Sequence, residues 1–89
     1  MSIDISKIEK VVMLTKAYGA TRIILFGSAL ERPEEANDID IACDGIPGWK
    51  IYELSARLEN ELGIPVDILP ISSKTRFIDY IIKKGKVLL

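Results

Sequence analysis

Apolar positions recur along this chain with two different periods. In DISKIEKVVMLTKAY (4–18), Ile5, Ile8, Val11, Val12 and Leu14 fall mostly three or four apart, the spacing of one helix face. Asp4 or Ser6 as N-cap and Gly19 as stop bound that helix. RIILF (22–26) is short, β-branched and closed by Gly27, which predicts a buried strand. Residues 29–37 are charged and contain Pro33, so they predict a loop with room for one helical turn. DIDIAC (38–43) alternates strictly and predicts a second strand. After the breakers Gly45, Pro47 and Gly48, Trp49, Ile51 or Tyr52, Leu54, Leu58 and Leu62 mark an amphipathic helix closed by Gly63, with Trp49 and Tyr52 expected to pack it. IPVDILPI (64–71) predicts a third strand. SKTRFIDYIIKKG predicts a last helix with Ser72 or Ser73 as cap and Gly85 as stop. The tail KVLL is expected to form a short strand or an apolar plug.

The order αββαβα implies an α/β (α+β) fold, a small mixed sheet with helices packed on it. The helix between the second and third strands is long enough for a crossover, so those strands are expected to be parallel neighbours. The loop between the first two permits an antiparallel pair.

Two carboxylates disturb the second strand. Side chains alternate, so Asp38, Asp40 and Ala42 share one face while Ile39, Ile41 and Cys43 share the other, which goes to the core. Asp38 and Asp40 then stand roughly 6–7 Å apart at Cα, where two anions repel unless a cation or solvent intervenes. Asp67 repeats the anomaly in the third strand, on the face of Leu69. If that strand lies beside the second, the three carboxylates form one acidic cluster suited to one or two divalent metals, Mg²⁺ above all. The competing reading makes them the polar positions of a solvated sheet face, although Asp is disfavoured in strands. Gly27-Ser28 ends the first strand with a flexible backbone and a hydroxyl, groups that suit a phosphate. It belongs to neither a Walker loop nor G-x-G-x-x-G, and DIDIACDG does not meet the EF-hand pattern.

Composition narrows the chemistry. The chain has 89 residues, the length of one domain (1–89), and 48% of them are apolar, enough for one core. Histidine is absent and Cys43 is the single cysteine. This excludes Ser-His and Cys-His nucleophiles, intramolecular disulfides and thiolate zinc clusters. Cys43 is expected to be a small buried side chain. The net charge of −1 supplies no overall positive field for nucleic acid or an anionic membrane, so a phosphate ligand needs a local site. No run is long enough to span a bilayer and no signal-peptide pattern stands at the start, so a cytoplasmic location is expected.

Gly27-Ser28, then nine residues, then Asp38-Ile39-Asp40, then Asp67 after a helix resembles the signature of the DNA polymerase β-like nucleotidyltransferases. More narrowly, the chain resembles the minimal nucleotidyltransferases (MNT proteins) of prokaryotes over nearly its whole length. The resemblance implies that Asp38 and Asp40 hold two Mg²⁺ ions, with Mn²⁺ as a substitute. It implies that Asp67 binds one of them and helps activate an attacking hydroxyl. Gly27 and Ser28 would hold the outgoing phosphates of ATP or another nucleoside triphosphate, with Arg32 as a further phosphate contact. Ala29 and Leu30 stand where minimal members often carry Arg and Gly, and Glu31, Glu34 and Glu35 make the loop acidic.

The same resemblance implies transfer of NMP, AMP first, to an acceptor hydroxyl. It also implies a HEPN-domain protein as partner, with this chain as the antitoxin of a toxin–antitoxin pair. A non-catalytic subunit that neutralises its partner by contact is the alternative, and a Mg²⁺-dependent phosphohydrolase is a third. The tail VLL is compatible with a homo-oligomer interface or with completion of the core.

Overall fold

The computed structural model describes residues 3–72 and 75–89. Helix α1 (Ile5–Ala17) begins at Asp4, whose side chain accepts a hydrogen bond from the Lys7 N–H at 3.1 Å. Strand β1 (Arg22–Phe26) follows, then a single turn of helix, α2 (Ser28–Glu31), inside the charged loop. Strand β2 (Ile39–Asp44), helix α3 (Gly48–Leu62) and strand β3 (Val66–Pro70) form the crossover unit. Helix α4 (Arg76–Lys84) and a two-residue strand β4 (Lys86–Val87) complete the order.

The sheet order is β3-β2-β1-β4, with β1 antiparallel to both β2 and β4 and β2 parallel to β3. The mixed sheet and both expected pairings are thus present. The tail serves in both of its expected roles: Lys86 and Val87 pair with β1, while Leu88 and Leu89 pack against the main core.

That core lies on one side of the sheet. Ile39, Ile41 and Cys43 of β2 meet Val11 and Leu14 of α1 and Leu54 and Leu58 of α3, all buried. Burial pushes the Cys43 thiol up to about 11, with Asp44 adding to the effect, so it stays protonated as a core side chain. The other side is not simply solvated. There Ile78 and Ile81 of α4 close over Ile24 and Ala42, with Leu69 at the margin. Ala42, on the face of the carboxylates, is fully buried by this helix.

Two sequence expectations need correction. Trp49 is 71% exposed and Tyr52 is 83% exposed, so neither packs α3. Leu54 and Leu58 define its inner face, with Ile51 and Leu62 half-buried beside them. At 100° per residue Trp49 stands about 200° from Ile51, on the far side of the cylinder. The cap of α4 is Thr75 rather than Ser72; its Oγ1 accepts from the Ile78 N–H at 3.1 Å. Ser73 lies outside the described residues.

Leu58→Ala should therefore cost about 2–5 kcal/mol in urea denaturation followed by circular dichroism. Trp49→Ala, although it removes more side chain, should stay within about 0.5 kcal/mol of wild type.

Candidate metal and phosphate site

The register of the sheet builds the site. Asp40 of β2 is opposite Phe26 of β1 on one side and Asp67 of β3 on the other. One step further along, Ala42 is opposite Ile24 and Leu69. The face opposite the main core thus carries two rows across three strands, Phe26–Asp40–Asp67 and Ile24–Ala42–Leu69. Helix α4 seals the second row and leaves the carboxylates of the first open. Asp38, just before β2, joins them. One carboxylate oxygen from each of Asp38, Asp40 and Asp67 lies within 4.8 Å of the others.

Adjacent strands are roughly 4.8 Å apart, so the backbones of the two in-register Asp residues cannot separate without breaking the sheet. Desolvation raises the Asp40 carboxyl to about 6, and repulsion from Asp38 and Asp67 and a hydrogen bond with Asp67 add to it. Among the described residues no Lys or Arg forms an ion pair with the three; the ion pairs found, Lys10–Glu61 and Arg57–Glu61, involve other residues. Their charge is thus left without an ion-pair partner among the described residues. Oxygen donors at this spacing, with this excess of negative charge, fit a hard divalent cation such as Mg²⁺.

The Gly-Ser turn meets this cluster directly. The Ser28 hydroxyl donates to Asp38 Oδ1 at 3.3 Å. Gly27 has φ +75°, and a Cβ placed on it would stand 2.6 Å from Asp40 Oδ2. The glycine is required twice, for its backbone conformation and for the room it leaves a carboxylate. The sequence suggested the first reason and concealed the second, because that contact depends on how β1 and β2 are paired. Arg32 is exposed and follows the last residue of α2; its N–H donates to the Ser28 carbonyl at 2.7 Å. Its guanidinium is not among the groups that meet the carboxylates.

A cavity of about 670 Å³ lies elsewhere, between α1, α2 and the sheet, lined by Ile8, Val12, Leu25, Leu30 and Leu88 among others. Leu25 and Leu88 belong to the main-core side, so this cavity is separate from the carboxylates. No helix among the described residues is long and apolar enough to cross a membrane.

Comparison with known proteins agrees with this geometry. The family described as "Polymerase beta, Nucleotidyltransferase" matches residues 7–89. Among solved structures, a toxin–antitoxin crystallised with AMP-PNP is 26% identical with a TM-score of 0.77, over 91% of this chain and 71% of that chain. A provisionally assigned minimal nucleotidyltransferase is 26% identical with a TM-score of 0.73, over 90% of this chain and 87% of that chain. A tri-AMPylated Shewanella oneidensis HEPN toxin in complex with its MNT antitoxin gives 23% identity and a TM-score of 0.74, over 94% and 70% of the two chains, a likeness of fold. No curated protein matches the chain.

Two outcomes are expected of the site. Because the folded protein holds the Asp40 proton up to about pH 6 and the unfolded chain only to about 3.8, metal-free stability should fall as pH rises through that window. Asp40→Asn should remove this slope and raise the melting temperature at pH 7 in chelator, by about 4–8 °C per kcal/mol recovered. Gly27→Ala should lose about 1–3 kcal/mol from the backbone alone, because φ +75° with ψ −156° is a region open essentially only to glycine, and the added Cβ also crowds Asp40; denaturant midpoints check the loss.

Proposed function

Because the chain belongs to the polymerase β nucleotidyltransferase family, we propose that it transfers a nucleoside monophosphate, AMP first, from a triphosphate to an acceptor hydroxyl. The acceptor lies on a HEPN-domain partner, and the chain acts as the antitoxin of that pair. The observation that carries this reading is the convergence of Asp38, Asp40 and Asp67 on the Gly27-Ser28 turn. The neighbours add support: the toxin–antitoxin with AMP-PNP speaks for a nucleotide, and the AMPylated HEPN toxin with its MNT antitoxin speaks for the partner.

Asp38, Asp40 and Asp67 would hold Mg²⁺, which would supply positive charge against their repulsion and against the charge that develops on the reacting oxygens. The chain's own groups do the rest. Ser28 Oγ, now donating to Asp38, turns to a phosphate oxygen, and the Gly27 backbone lets the triphosphate approach. Arg32, exposed on the same loop, swings its guanidinium to the outer phosphates. Asp67, the exposed member of the three, takes the proton of the acceptor hydroxyl. The acceptor oxygen forms a bond to the α-phosphorus, the bond from that phosphorus to the bridging oxygen breaks, and pyrophosphate leaves. No histidine is needed at any step.

The alternative, neutralisation by contact, would form the complex without modifying it.

Wild-type protein incubated with ATP, Mg²⁺ and a HEPN partner should add adenylate mass to that partner, read as intact masses. Asp38→Ala and Asp40→Ala should abolish the gain, and Asp67→Asn should slow it about 10²–10⁴-fold. A stable complex without mass gain by wild type would sink the transfer reading in favour of contact binding, and phosphate release without an acceptor product would indicate hydrolysis.

A further inference from the structure

Aromatic side chains divide between the two ends of the sheet. Trp49 and Tyr52 are exposed on the first turns of α3, which follows the C-terminal end of β2. Asp40 sits at the other end of that strand, four residues and roughly 13 Å before Asp44. These two rings are therefore remote from the carboxylates.

A second aromatic group adjoins them. Phe26 is the cross-strand neighbour of Asp40 on the open face, with Cβ atoms of such pairs about 4.5–5.5 Å apart. Phe77, in the first turn of α4, meets Phe26 edge to face, with ring centroids 5.9 Å apart and planes at 85°. Such a pair leaves at least one face of Phe77 unused. Phe77 is 53% exposed, although Ile78 beside it is buried, so the helix places a ring in solvent where it had the option of burying it. Tyr80 stands three residues on, a neighbour on the same flank, and is 54% exposed. Phe77 is thus joined through Phe26 to the Asp40–Asp67 row, with Tyr80 one helical turn further along α4.

We infer that Phe77, backed by Phe26 and continued by Tyr80, is the stacking platform for the planar base of the nucleoside triphosphate. This rests on the nucleotidyl-transfer reading and deepens it. Gly27 and Ser28 hold phosphates, which every triphosphate shares; the aromatic flank of α4 holds what distinguishes a nucleotide from inorganic polyphosphate. Stacking is tolerant of base identity because every base has a π-face. The platform therefore favours purines by area and does not select one by hydrogen bonding.

The test compares ATP with inorganic tripolyphosphate, both titrated calorimetrically in Mg²⁺. Phe77→Ala and Phe77→Leu should each weaken ATP binding about 5–150-fold and leave tripolyphosphate binding unchanged, while Phe77→Tyr keeps both. Equal loss of both ligands, no loss of ATP, or wild-type ATP affinity in Phe77→Leu would overturn the platform and leave the transfer reading standing. Failure of wild type to bind either ligand would overturn the transfer reading and the platform with it.

Discussion

Mutual repulsion among three carboxylates, enforced by strand register, is the constraint on which this small protein is organised. Asp40 and Asp67 are locked side by side because Ile39 and Ile41 are buried on the opposite face of β2, and Val66 on that of β3. A slip of one residue would drive those apolar side chains into solvent and the carboxylates into the core. The hydrophobic effect therefore holds together what electrostatics would push apart. Desolvation and the neighbouring charges leave Asp40 reluctant to ionise, a cost the fold bears at the site for which a cation is the natural remedy.

The layers around the sheet serve that arrangement. Helices α1 and α3 bury one side. Helix α4 covers only part of the other, sealing Ile24, Ala42 and Leu69 while Asp40 and Asp67 remain accessible. The short α2 returns the chain so that Ser28 meets Asp38, ten residues later in sequence. The Gly27-Ser28 turn and the carboxylates are thus parts of one hydrogen-bonded unit, and a change at the turn reaches the carboxylates without passing through the core.

Much of this was legible in the sequence. Strict alternation in DIDIAC separated Asp38 and Asp40 from Ile39 and Ile41, and the helix-length crossover placed Asp67 beside them. What stayed hidden were contacts set by pairing between distant segments. Nothing local to Gly27 announces that Asp40 will occupy the space a side chain would need. Ala42 looked like a member of an open face because its cover, α4, arrives more than thirty residues later. Trp49 misled for another reason: large apolar residues invite a core assignment, but the phase of α3 is fixed by Leu54 and Leu58, and Trp49 falls on the opposite side. Phe77 was read only as part of the last helix, since its partnership with Phe26 spans half the chain.

The exposed Trp49 is the chain's sole tryptophan, accompanied by the Lys50 ammonium 5.4 Å from its ring centre. It therefore acts as a built-in optical reporter for one end of the sheet, emitting as a water-exposed indole and open to collisional quenchers. A protein that covers that end would shift its emission to the blue and protect it, whereas one that approaches over the carboxylates would leave it in water. The same ring that contributes nothing to the core thus distinguishes two directions of docking.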